Sequence, residues 1–229
     1  MPVGKNLSPV DRVRFRANVP GLADRKRAAV YDVVGFAAAA TVLGDANFFT
    51  VPLGGAGVFN GAAIAKTLLQ TNLRTQGQLP AQQELEVWDI RVQADINLFN
   101  SDTTTTILSN ALIAVRGILM GSFMAIQIDG KTQLELSPIA ILSAGYGPFA
   151  SGYGGANVTA AAAAGAGALF LTNGTPNRSA LWNLNPIPIV IQAGHTFSVV
   201  ITTPIGVVLP ANTALNLWVH LDGVLHRAA

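Results

Sequence analysis

The chain reads as an all-β protein, a sandwich or barrel of antiparallel strands, and two observations predict this. Apolar and polar residues alternate with period two: Trp88, Ile90, Val92, Ala94, Ile96 and Leu98 stand against Asp89, Arg91, Gln93, Asp95 and Asn97. Turn-like clusters also recur at residues 44–46, 54–57, 100–105, 129–131, 173–178, 192–195 and 210–213. Short strands punctuated in this way build sandwiches and barrels. A third observation concerns the surface. Only 11% of the residues are charged, against about 25% in an ordinary soluble domain. A surface so poor in charge is expected to be covered by other subunits.

Taken in chain order, residues 1–35 read as an arm and lead-in, and 36–229 as a single β-sandwich domain. In residues 10–17, VDRVRFRA, an extended strand places Arg12, Arg14 and Arg16 on one face and Val13, Phe15 and Ala17 on the other. Arg25, Lys26 and Arg27 add a compact basic cluster. Residues 54–70 are expected to hold a short helix around Ala62–Gln70. The parity of Leu85 and Val87 is opposite to that of Trp88 onward, which predicts a bulge or a change of sheet edge at Val87–Trp88. Asp129-Gly130 signals a hairpin. A two-residue turn there would set Ile126 and Ile128 beside Gln133 and Lys131. A three-residue loop, the preferred register, matches Met124, Ile126 and Ile128 with Leu136, Leu134 and Thr132.

Residues 144–169 are rich in Gly and Ala and include Tyr146, Phe149 and Tyr153. They read either as an inter-strand insertion packed against a neighbouring subunit, with Ala162, Gly165 and Gly167 allowing close backbone approach, or as a flexible surface loop. Pro186 and Pro188 confine the stripe Ile187, Ile189 and Ile191 to an edge or a strand start. Phe197, Val199 and Ile201, then Leu215, Leu217, Val219 and Leu221, mark the last two strands.

Seven of the 14 Lys and Arg residues lie in the first 27 positions. They are Lys5, Arg12, Arg14, Arg16, Arg25, Lys26 and Arg27, opposed only by Asp11 and Asp24, which gives that segment a net charge of +5. The rest carries seven basic and ten acidic residues, net −3. This asymmetry predicts contact of the arm with phosphates, of nucleic acid or of an anionic membrane. The bland alternative is a clamp on a neighbour's acidic rim. The absence of cysteine removes disulfides, thiolate catalysis and Cys-based zinc sites. The first residues lack the apolar run of a secretory signal, and the apolar windows 28–43 and 107–121 are broken by Asp32 and Arg116, so neither secretion nor a membrane span is expected. His195, His220 and His226 have no ligand spacing, and Glu84 and Glu86 share a strand face without other catalytic context. No metal, cofactor or catalytic residue is therefore expected.

Two stretches taken together, TNLRTQGQLPAQQELEVWDIRVQADI (71–96) and FSVVITTPIGVVLPANTALNLWVHLDGVLHR (197–227), resemble jelly-roll capsid and virion structural proteins of bacterial viruses. The resemblance implies a jelly-roll-like sandwich that self-assembles into a symmetric shell, an obligate homo-oligomer located in the virion with other virion proteins as partners. Two other readings stand beside it. One is a virion decoration or receptor-binding trimer exposing Tyr146, Phe149, Tyr153 and Trp182. The other is a carbohydrate-active enzyme using Glu84 or Glu86.

Overall fold

Parity in the longest strands decides which faces meet. A computed structural model describes residues 24–98, 105–138, 150–154, 168–172, 182–211 and 213–227. The larger sheet contains β1 (Asp24–Phe36), β5 (Gln83–Leu98), β10 (Trp182–Asn183), β11 (Ile189–Ile191) and β13 (Thr213–Arg227). Its order is β1-β13-β5-β10, with β11 also paired to β5. The smaller sheet contains β2 (Thr41–Phe48), β6 (Phe123–Ile128), β7 (Lys131–Leu136) and β12 (Phe197–Val208), in the order β2-β12-β6-β7. Two hairpins stand apart: β3 (Ala56–Phe59) with β4 (Ala62–Ala65), and β8 (Ala150–Gly154) with β9 (Ala168–Thr172). Helix α1 (Thr105–Gly121) lies between β5 and β6 in the chain.

The pairings are antiparallel and nested about one hairpin. β6 pairs with β7, β5 with β10 and β11, β2 with β12, and β1 with β13. Successive pairs alternate between the two sheets. The inner faces share one core, to which the larger sheet gives Val30, Leu85, Ile90, Val92, Leu217 and Val219, and the smaller gives Phe48, Met124, Ile126, Val199 and Ile201. Ala114, Val115, Ile118 and Leu119 of α1 join it. Each such side chain contributes about 1.5–3 kcal/mol by leaving water, so two apolar faces of this size close on each other. The fold is all-β and sandwich-like.

The parity switch at Val87–Trp88 is a β-bulge. Asp222 faces Asp89 but Gly223 faces Val87, which leaves Trp88 as the extra residue. Leu85 and Val87 before it, and Ile90 and Val92 after it, can thus all enter the core. Gly223 is required opposite the bulge, because a Cβ there would overlap the Glu86 carbonyl.

The Asp129-Gly130 turn combines both expected registers. Both residues have positive φ, 49° and 72°, and Ile128 faces Lys131 across a two-residue turn. A register shift between Ile126 and Gln127 then restores Met124 to Leu136 and Ile126 to Leu134. The expected Ile128–Thr132 match is replaced by Gln127–Thr132.

One further expectation is corrected, and two segments gain definition. The short helix around Ala62–Gln70 is instead the β3–β4 hairpin, turned by Asn60-Gly61 at φ 51° and 76°. The window 107–121, read only as an apolar run, is helical from Thr105. Of the lead-in 1–35, residues 24–35 belong to β1 and are paired with β13 along their whole length. The stripe after Pro188 is an edge-side strand, Ile189–Ile191, paired with β5. Among the described residues no helix is long and apolar enough to cross a membrane.

Candidate functional site

The inner face of the larger sheet changes character toward the start of β1 and the adjoining ends of β13 and β5. On β1 the inward positions run Val30, Ala28, Lys26, while β13 gives Leu225 and Arg227 and β5 gives Leu85 and Gln83. Apolar side chains thus give way to Lys26, Gln83 and Arg227 at this end of the sheet. The segment from Asn72 to Pro80 folds over this end and completes a groove of about 390 Å³. Leu225, Val30, Ala28, Leu73, Leu79 and Pro80 form its apolar surfaces, and Lys26, Arg74, Arg227, Asn72 and Gln83 its polar ones. Among the described side chains that line it, none is acidic.

The roof is pinned by backbone geometry. The Asn72 amide is fully engaged with the edge of β1: its Oδ1 accepts the Tyr31 N–H at 3.0 Å and its Nδ2 donates to the Ala29 carbonyl at 2.6 Å. Gly77 donates to the Phe49 carbonyl at 2.8 Å and accepts from the Phe197 N–H at 2.7 Å. Its φ of 60° and a Phe197 carbonyl 3.1 Å from any added Cβ favour glycine there. The groove is therefore held open by the fold itself.

Next to it lies a buried ion pair. Lys66, just after β4, donates from Nζ to Asp32 Oδ1 at 2.6 Å and to the Val33 carbonyl at 2.8 Å. The other carboxylate oxygen, Oδ2, accepts the Phe49 N–H at 2.6 Å. Burial pushes the Asp32 carboxyl up, against the opposing pull of Lys66. This cluster ties the β3–β4 hairpin to β1, and reciprocal amide bonds between Asn60 and Asn216 tie its tip to β13.

The outer face of the larger sheet carries a row of rings. Phe59 meets Trp218 edge-on at 5.9 Å, Trp218 stacks on His220 at 6.2 Å, and Tyr31 lies 5.9 Å from His220. Burial first, and the Arg91 guanidinium second, push His220 down to about 4. Arg91 grips Asp222 with two bonds, at 2.6 and 3.1 Å.

The basic positions read from the sequence are only partly brought together. Strand pleating separates Lys26, on the groove side, from Arg27 on the opposite face, so the compact cluster is split. Arg25 stands opposite His226 in the β1–β13 ladder. Lys5, Arg12, Arg14, Arg16, Tyr146, Phe149, Ala162, Gly165 and Gly167 lie outside the described residues, and Tyr153 belongs to β8, opposite Leu169. Arg74 and Arg227 were not singled out in sequence. Arg227 continues the alternation of Leu215, Leu217, Val219, Leu221 and Leu225 along β13, so its face was readable, but its meeting with Lys26 and Arg74 was not.

Glu86 and His195, also singled out in sequence, each meet an ionisable neighbour. Glu86 is buried 3.6 Å from His226. His195 instead bonds Asp129 across a loop, holding that carboxyl below its usual range. Among the described residues no group of three His, Cys, Asp or Glu is placed to hold a metal ion. Comparison of the chain with protein-family models, curated proteins and solved structures returned no match.

Proposed function

We propose that the chain is a jelly-roll structural subunit of a bacterial virus, which self-assembles into a symmetric shell and has no catalytic activity. One observation carries this reading, the nested strand order. Lettering the principal strands B to I in chain order, with β10 and β11 together as G, turns the two sheet orders into B-I-D-G and C-H-E-F. That is the order produced when two Greek keys wrap into a jelly roll, an architecture shared by capsid, lectin and cupin domains.

The surface favours the capsid among these. Helix α1 is apolar on both sides: Ala111, Val115 and Ile118 are buried, yet Ile113 and Met120 remain 69% and 56% exposed. Exposed apolar side chains on a helix, beside the exposed Arg116, offer a contact surface. Phe123 follows one residue after the helix, and Ile205, Val208 and Leu43 are also exposed near the end of β12. With so few charges to offset them, these surfaces fit lateral packing between copies. Negative-stain microscopy and sedimentation of the purified protein test the reading. Closed particles or large symmetric oligomers are expected, and a stable monomer at micromolar concentration refutes it.

A further inference from the structure

We propose that the groove at the open end of the sandwich holds a single-stranded nucleic-acid segment, with Lys26, Arg74 and Arg227 toward its phosphates and Leu79 and Pro80 against its sugars or bases. This deepens the reading of the basic N-terminal segment as facing an anionic partner, and it chooses nucleic acid over membrane.

Four features of the groove lead there. Among the described side chains its lining has three cations and no carboxylate, which attracts an anion. The cations surround an apolar floor, which a small inorganic ion has no use for. A nucleotide presents both chemistries, phosphate on the outside and a flat apolar face within. The groove also lies between the ends of β1, β13 and β5 and the Asn72–Pro80 segment, so a strand can lie in it while the headgroup plane of a bilayer meets only its rim. Finally, Lys26 lies three positions from residue 23, the last of a segment carrying Lys5, Arg12, Arg14 and Arg16 against Asp11, net +3. In sequence the groove's Lys26 is thus closely preceded by further positive charge, which a polyanion can use and an isolated phosphate cannot.

The rim is already in place. Both ends of the Asn72 amide are bonded to β1, and Gly77 is clamped between Phe49 and Phe197. Binding therefore orders little of the protein, which favours affinity.

Fluorescence anisotropy of a dye-labelled, mixed-sequence 12-nucleotide single-stranded DNA on the full chain tests the proposal across a salt series. Each phosphate contact on a single strand adds about 0.7 to the log–log salt slope. The double variant Lys26→Gln/Arg74→Gln should lower the slope by about 1.4 and weaken binding on the order of tenfold at moderate salt. Both side chains are exposed, so an unchanged thermal melt is expected and separates lost binding from lost folding. The arm variant Arg12→Gln/Arg14→Gln/Arg16→Gln is measured in parallel. If only the arm variant weakens binding, the groove proposal is overturned while the arm keeps its anionic partner. If the full chain binds phosphatidylglycerol vesicles and not DNA, the partner is a membrane and the proposal fails.

A second readout is independent of substitution. Photocrosslinking of a 4-thiouridine-containing RNA of the same length should label the tryptic peptide Thr75–Arg91, which contains Leu79, Pro80 and Gln83; labelling confined to other peptides overturns the assignment. Microscopy of the same samples keeps the two readings apart. Groove-dependent binding without particles leaves this site standing and removes the shell, while particles that bind DNA independently of Lys26 and Arg74 do the reverse.

Discussion

His220 sits between Tyr31 and Trp218 with its Nε2 buried, and its environment makes an acid-sensitive element of one side chain. In the unfolded chain it takes up a proton near pH 6.5, whereas in the folded protein it stays neutral down to about pH 4. The unfolded state therefore binds more protons between these values. Stability is intact above pH 6.5 and falls as pH drops toward 4, by up to roughly 3 kcal/mol from this residue. His220→Phe keeps a ring in the row and removes the titration, so urea unfolding at pH 7 and pH 4 should show a smaller acid loss in the variant by about that amount. Lys66 and Asp32 make the second residue-scale case. Lys66→Met strands a buried carboxylate and should cost about 3–5 kcal/mol. Lys66→Met/Asp32→Asn removes the charge, keeps an acceptor for the Phe49 N–H, and should recover most of that loss in the same unfolding experiment. None of these partnerships was legible in sequence. Asp32 and Lys66 are 34 positions apart, and only the β3–β4 hairpin brings them together.

At the scale of elements, local chemistry was readable wherever a dipeptide or a parity rule carries it. Asp129-Gly130 marked its hairpin, and Asn60-Gly61 marks another by the same rule, although the apolar residues around it also fit a helix. The bulge at Trp88 was visible as a parity switch, but its partner Gly223 was not, because the constraint is the approach of the Glu86 carbonyl from another strand. Gly223→Ala should therefore destabilise by about 1–3 kcal/mol or more through overpacking. Gly121→Ala, at a helix-end position with nothing within 4 Å of an added Cβ, should change stability by less than about 1 kcal/mol. Denaturant midpoints of the two variants give the comparison. Helix α1 lacks an acidic first turn and a basic last turn, two of the usual sequence markers of helix ends. Its buried Ala111, Ala114, Val115 and Ile118 do follow helical spacing, a signal obscured by the apolar residues on the opposite face.

For the whole molecule, the decisive quantity is apolar surface that one copy leaves exposed. Ile113→Glu/Met120→Glu should leave the subunit folded, since both side chains point away from the core. In the shell reading it should shift sedimentation from large particles to small species; particles of unchanged size would place the contact elsewhere. The placement of β1 also sets where the chain can be shortened. Removing residues 1–23 leaves every described strand whole, whereas removing 1–27 takes four residues and their pairings with Val224–Arg227 from the edge of the larger sheet. The longer deletion should cost roughly 1–3 kcal/mol more in unfolding free energy, and it also removes Lys26 from the groove.

What the sequence determined by itself was the class of structure and the sign of its charge. Period two, turn dipeptides and a bulge are properties of neighbouring residues, so they can be read without knowing what lies across a sheet. A chain 11% charged, with half its basic residues at one end, likewise declares its asymmetry before it folds. Tertiary structure decided the nested strand order, the pairing of Lys66 with Asp32, and the meeting of Lys26, Arg74 and Arg227 at one groove. These depend on which distant segments become neighbours. That choice is made by the burial of two apolar sheet faces against each other, a non-directional force proportional to area, and no local pattern in the chain encodes its outcome.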